Sequence, residues 1–260
     1  MKSGFGDHVT VAMDGHVAVV TVNRPPHNFV SVEFMKDLAE ACEAADADNN
    51  ARAIVLQADG KNFCAGADFQ ASDDRVAAGM EGVNALYVQA VRLYSIQKPI
   101  VAAVQGAAVG AGLGLALVAD FRVVSPEARF AANFVKLGFH PGFGISLALP
   151  RIVGEQKAAL MMLTGRRIKG EEALAWGLAD EMVEAADLRG ATLRLAQEIA
   201  ENAPLAVVAT RKTIRGGLAA AIKAQTDVEH REQAVLRASE DFQEGIRSVN
   251  ERRPGNFKGR

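Results

Sequence analysis

The most apolar stretch of the chain, Ile100 to Val118, is interrupted by Gln105 and by glycines at 106, 110, 112 and 114. A membrane span could carry some glycine, but glycine is used mainly where a backbone turns sharply or is approached closely. The stretch therefore reads as a strand over Ile100–Val104, a tight bend and a buried helix. That reading points to an α/β architecture in which a core strand hands over to a helix.

The flanking pattern agrees. Val9 to Met13 and His16 to Val22 are β-rich runs separated by Asp14-Gly15, a hairpin signal. Pro25-Pro26 ends the second strand, because proline has no N–H for the ladder. Ser31 can cap a helix with Phe34, Leu38, Ala41 and Ala45 on one face. Ala53 to Ala58 and Phe121 to Val124 read as further strands, and strands alternate with helices to about residue 185. After Asp187 the pattern is helical only, roughly 187–202, 204–218 and 220–248, with Pro204 suited to a first turn. A boundary near residue 200 gives two segments, 1–200 carrying the site and 201–260, a helical segment.

Composition narrows the function classes. A chain of 260 residues buries enough surface to need no disulfide or metal. The formal net charge of −2 gives no electrostatic case for nucleic acid or an anionic membrane, while leaving room for a local basic pocket. The two cysteines, Cys42 and Cys64, have no metal-ligand spacing, and such sparse use fits a cytoplasmic setting. Met1 to His8 lacks the apolar core of a signal peptide.

Two bends carry the chemistry. The first, Asn62-Phe63-Cys64-Ala65-Gly66-Ala67-Asp68-Phe69, follows the strand at 53–58; the second runs from Val104 through Gly114. Small residues let a main-chain N–H point at a carbonyl oxygen that gains charge during reaction. A helix start adds free N–H groups and the favourable end of the helix dipole. Taken alone, an ordinary tight turn explains the first bend as readily. The second matches neither Walker A nor GxGxxG spacing.

The two bends in this order, with roughly 40 residues between them, resemble the enoyl-CoA hydratase/isomerase (crotonase) superfamily. The resemblance extends through Asn23-Arg24-Pro25, Asp120, Phe130, Gly138, Pro141-Gly142, Leu149 to Gly154, Trp176-Gly177-Leu178, Glu240 to Gly245 and Phe257 to Arg260. It implies a crotonase-like ββα spiral core with an α-helical C-terminal oligomerisation segment, assembled as a homotrimer or a dimer of trimers. It also implies an acyl-CoA thioester as substrate, with coenzyme A arriving as part of it and no further cofactor or metal. Ala67 and Ala111 would supply oxyanion-hole N–H groups, although the family usually has glycine at 111. His27 and Phe29 would flank the adenine, and Phe257 and Lys258 would touch the nucleotide. Ala65, Asp68, Phe69, Val109, Phe134 and Leu137 complete the implied substrate contacts.

The same resemblance exposes a departure. Family hydratases use two glutamates, one eight residues after the glycine matching Gly106 and one four after the phenylalanine matching Phe130. Those positions are Gly114 and Phe134 here, and an acid that some relatives place eight residues further on is Gly142. Each positioned acid or base contributes about 10²–10⁴-fold, so efficient standard hydration is not expected. His140 is the candidate replacement, since imidazole titrates near neutral pH; a packed or exposed loop histidine is the competing reading. Asn133 reads as a helix cap, Lys136 as solvated, Tyr87 and Cys64 as buried packing, and Phe134, Phe139 and Phe143 as an apolar pocket of altered shape. Three readings remain: an acyl-CoA enzyme with different acid–base residues, a CoA-thioester-binding protein without catalysis, and an oligomeric scaffold. The retained bends argue against the last.

Overall fold

The computed structural model describes residues 2–67 and 80–260. Its strands are β1 (Gly4–Phe5), β2 (Val9–Asp14), β3 (Val17–Val22), β4 (Ala53–Ala58), β5 (Ile100–Val104), β6 (Ala107–Val109), β7 (Phe121–Val124), β8 (Arg129–Ala131), β9 (Arg167–Lys169) and β10 (Glu181–Met182). The helices are α1 (Val32–Ala47), α2 (Met80–Tyr94), α3 (Ala111–Val118), α4 (Ile145–Val153), α5 (Glu155–Thr164), α6 (Gly170–Trp176), α7 (Leu188–Ala200), α8 (Pro204–Arg215), α9 (Leu218–Arg237) and α10 (Glu240–Asn250). The main sheet runs β1-β2-β3-β4-β5-β7-β10, and a second sheet runs β6-β8-β9. The hairpin at Asp14-Gly15 pairs β2 and β3 antiparallel, and from β3 onward the main sheet is parallel.

Parallel strands covered on both faces read as apolar runs, and β5 is buried throughout. Successive side chains point to opposite faces, so the strands feed two cores. Ile54, Leu56, Ile100, Ala102 and Val104 enter the larger; Ala53, Val55, Val101 and Ala103 enter the smaller. The smaller core is closed by Leu188, Ala191, Ala196 and Ala200 of α7.

Ser31 caps α1 as expected, its Oγ accepting the Phe34 N–H at 3.2 Å. The expected helix over 220–248 is instead two, because Ser239 starts α10 by accepting the Phe242 N–H at 3.1 Å. A serine followed by Glu240 and Asp241 is a helix-start signal that overrides the continuous apolar period. Arg211 and Arg215 of α8 reach the Asp120 carboxylate at 2.8 and 2.9 Å. Asp120 also accepts the Ile100 N–H at 2.8 Å, so α8 is tied to the start of β5. Among the described residues no helix is long and apolar enough to cross a membrane.

Candidate active site

The two bends lie against each other, backbone to backbone. Cys64 donates its N–H to the Ala107 carbonyl at 2.9 Å, and Val109 donates to the Cys64 carbonyl at 3.1 Å. A Cβ at Gly112 would stand 2.0 Å from Cys64 O, and one at Gly66 would stand 2.7 Å from Val109 O. Both positions need glycine for space, and Gly66 also has a φ of 97°.

Ala67 forms a parallel bridge with Val30, whose N–H binds the preceding carbonyl, that of Gly66, at 2.8 Å. In such a bridge the partner bonds the flanking peptide groups, which leaves the central residue's own N–H facing away from it. Ala111 opens α3, where the first N–H groups have no intrahelical acceptor. Ala67 and Ala111 both line a cleft of about 700 Å³.

Another part of the lining is built from side chains. A Cβ at Gly114 would meet Phe143 Cδ1 at 2.5 Å and Phe143 Cγ at 2.8 Å. At Gly142 it would meet the Tyr87 hydroxyl at 1.9 Å. Phe134 lines the cleft beside the second bend, its Cζ 3.8 Å from the Cβ position of Gly110. A side chain at 114 is thus excluded by a ring and one at 142 by a phenol, while a second ring stands beside the second bend.

Tyr87 donates to Gln233 Oε1 at 2.7 Å, and Gln233 Nε2 donates to the His140 carbonyl at 2.8 Å. Burial, with the charge of Glu229 adding to it, pushes the Tyr87 phenol well above its usual range, so the hydroxyl stays protonated. One turn before Gln233 on α9, Glu229 is fully buried. Its carboxylate accepts the Gly144 N–H at 2.7 Å, the Ser146 N–H at 3.1 Å and the Ser146 hydroxyl at 2.6 Å. It therefore caps α4 from a distant helix. Burial pushes Glu229 up to about 7 despite these hydrogen bonds.

Of the residues singled out from sequence, His27, Phe29, Ala65, Val109, Phe134 and Leu137 line the cleft with Ala67 and Ala111. His27 is held by the Asn62 side chain at 3.0 Å and meets the Phe29 ring edge-on at 5.4 Å. Asp68 and Phe69 lie outside the described residues.

His140 is not among the residues that line the cleft, and its Nδ1 sits 2.7 Å from the Pro141 carbonyl. What this residue gives the site is its main-chain carbonyl. Asn133 is not a cap either; it is the first residue of the 3-10 turn Asn133–Leu137, and it lines the cleft. Phe257 and Lys258 are not among the lining residues, and Asp241 holds the tail by accepting the N–H groups of Lys258 and Gly259 at 2.5 and 2.7 Å. Cys64 packs inside, and burial pushes its thiol up to about 12.

Sequence reading missed four arginines on the lining, Arg129, Arg167, Arg237 and Arg252, and the described lining contains no Asp or Glu. The cleft is basic in a chain whose net charge is −2. Arg129 and Arg167 lie on three-residue strands, too short to leave a periodic signal. Glu229 and Gln233 stand four apart on one helix, and sequence reading singled out neither.

The chain belongs to the enoyl-CoA hydratase/isomerase family, whose family model matches residues 12–260. It is 36% identical over 257 residues to (E)-benzylidenesuccinyl-CoA hydratase of Thauera aromatica, covering 96% of this chain and 99% of that protein. To mevalonyl-coenzyme A hydratase of Beauveria bassiana it is 35% identical over 258 residues, covering 92% and 90%. A crystal structure of an enoyl-CoA hydratase/isomerase from Pseudoalteromonas atlantica superposes with a TM-score of 0.87 at 32% identity, over 97% of this chain and 100% of that one. The α/β core with a helical C-terminal segment is the crotonase fold, and the chain is a crotonase-family acyl-CoA enzyme.

Proposed function

We propose that the cleft binds an acyl-CoA thioester and that the Ala67 and Ala111 amides donate to the thioester oxygen. The developing enolate is stabilised there, and each such donor is worth about 3–4 kcal/mol in the transition state. The observation that carries the reading is the pair of bends joined through Cys64, each bringing to one cleft an amide with no acceptor among the described residues. Four arginines and no described carboxylate on the lining suit the phosphates of coenzyme A.

The relatives named for benzylidenesuccinyl-CoA and mevalonyl-CoA are about equally identical to this chain, so identity alone does not choose an acyl group. That choice falls to the side-chain wall. With Gly114, Phe134 and Gly142 in place of acids, water addition by two carboxylates is not the chemistry supported. Isomerisation, decarboxylation or C–C cleavage through the same enolate, hydrolysis through a tetrahedral oxyanion held by the same amides, and slow hydration are the alternatives. A second reading, thioester binding without turnover, is favoured by the absence of a carboxylate from the lining among the described residues.

Exposed Leu205, Ile214 and Val235 support assembly of copies as a trimer or dimer of trimers through segment 201–260. Sedimentation velocity tests this, and a monomer across the micromolar range contradicts it. The function is tested by offering crotonyl-CoA and a panel of aryl, branched and β-keto acyl-CoAs and following mass. Product supports the enzyme, binding without product supports the second reading, and no binding of any thioester overturns both.

A further inference from the structure

We infer that Phe143 sets the size of acyl group the cleft accepts, by closing its floor over Gly114. The inference rests on the acyl-CoA reading of the cleft. Phe143 lines the cleft and Gly114 does not, because the ring lies over the glycine where any side chain at 114 would have to stand. Gly114 is three residues beyond Ala111 on α3, a rise of about 4.5 Å. The ring therefore stands beside the acyl carbons next to a thioester held at the Ala111 amide, rather than at the far end of the chain.

The ring is also fixed from both sides. The residue before it, Gly142, is pressed against the Tyr87 hydroxyl, and the residue after it, Gly144, is held by the Glu229 carboxylate at 2.7 Å. Any Cβ at Gly144 would meet Ile222 Cδ1 at 2.7 Å, so α9 packs directly on this segment. Phe143 itself has a φ of 65°, a conformation that costs a bulky residue energy and persists only where the surroundings hold it. Tyr87, Gln233 and Glu229 thus act as positioning residues for a wall that admits acyl groups slim at the carbons nearest the thioester. Branched or aryl groups there need the space the ring occupies.

The test uses saturated thioesters, butyryl-CoA and 3-phenylpropanoyl-CoA, titrated calorimetrically into the full-length protein. Wild type is expected to bind butyryl-CoA more tightly by at least about tenfold, the scale on which an apolar pocket discriminates size. Phe143→Gly removes the ring and suits the positive φ, so the backbone is retained while the preference falls by about tenfold or reverses. Phe143→Leu gives an intermediate ratio and serves if the glycine variant does not fold by circular dichroism. Gly114→Ala, which drives the ring into the cleft, raises the ratio. An unchanged ratio in a folded Phe143 variant overturns the inference, as does equal wild-type affinity for both thioesters, while the cleft reading survives. Wild type that binds neither thioester overturns both.

Discussion

Two regions of one cleft are made in different ways. In the bends at 62–67 and 105–112 the proposed donors are main-chain amides, and the side chains matter mainly by being small enough to let one backbone touch the other. Around 114, 134 and 139–144 the surface is made by side chains, the rings of Phe134, Phe139 and Phe143 and the phenol of Tyr87. Main-chain groups cannot be removed by substitution, so an alanine at 111 still presents its amide at the start of α3. Side-chain groups can be exchanged, and here the exchanges fit together: Gly114 leaves the space that Phe143 fills, and Gly142 leaves the space of the Tyr87 hydroxyl.

The largest effect is expected where the two backbones meet. Gly→Ala inside a helix ordinarily gains about 1 kcal/mol. At Gly112 the new methyl would stand 2.0 Å from Cys64 O, so G112A is expected to lose about 3 kcal/mol in urea unfolding and to abolish thioester binding. A stable, binding G112A variant would break the contrast between the regions.

Next comes Glu229 on the side-chain wall. Its folded value near 7 lies above the ordinary 4.5, so the folded state holds this proton more tightly than the unfolded one. Its contribution to stability therefore falls as pH rises through that window and is constant above it. Stability of wild type relative to E229Q should decline by up to about 3 kcal/mol across the window, at about 1.4 kcal/mol per unit. Urea midpoints at a series of pH values check this, and a constant difference contradicts it.

Y87F removes a buried hydroxyl and strands Gln233 Oε1, for a loss of about 1–2 kcal/mol in stability. If turnover exists, Y87F should lower it less than about tenfold; a loss of about 10²-fold or more would make Tyr87 the missing proton donor. H140A is the smallest, expected to change thioester affinity or turnover by no more than about twofold, within the spread of substitutions away from a site.

The strands at 53–58, 100–104 and 121–124 were legible because buried parallel strands are short apolar runs bounded by turns. The second sheet was not, since three-residue strands carry no measurable period. The bends were legible because a glycine needed for space or for positive φ shows in the sequence itself. The arginines on the lining, and Glu229 binding Gly144 from 85 residues away, were not. Those placements come from the packing of α9 and the second sheet, and local pattern holds no record of them. Nor does a histidine in this loop say which way its ring turns, so sequence alone does not place His140 relative to the cleft.

The central claim is that main-chain amides at 67 and 111 polarise a thioester carbonyl. Isotope-edited infrared difference spectra of butyryl-CoA carrying carbon-13 at the thioester carbon test it without requiring turnover. The account predicts that the carbonyl stretch moves to lower frequency on binding. A ligand that saturates the cleft with its carbonyl frequency unchanged from solution would contradict it.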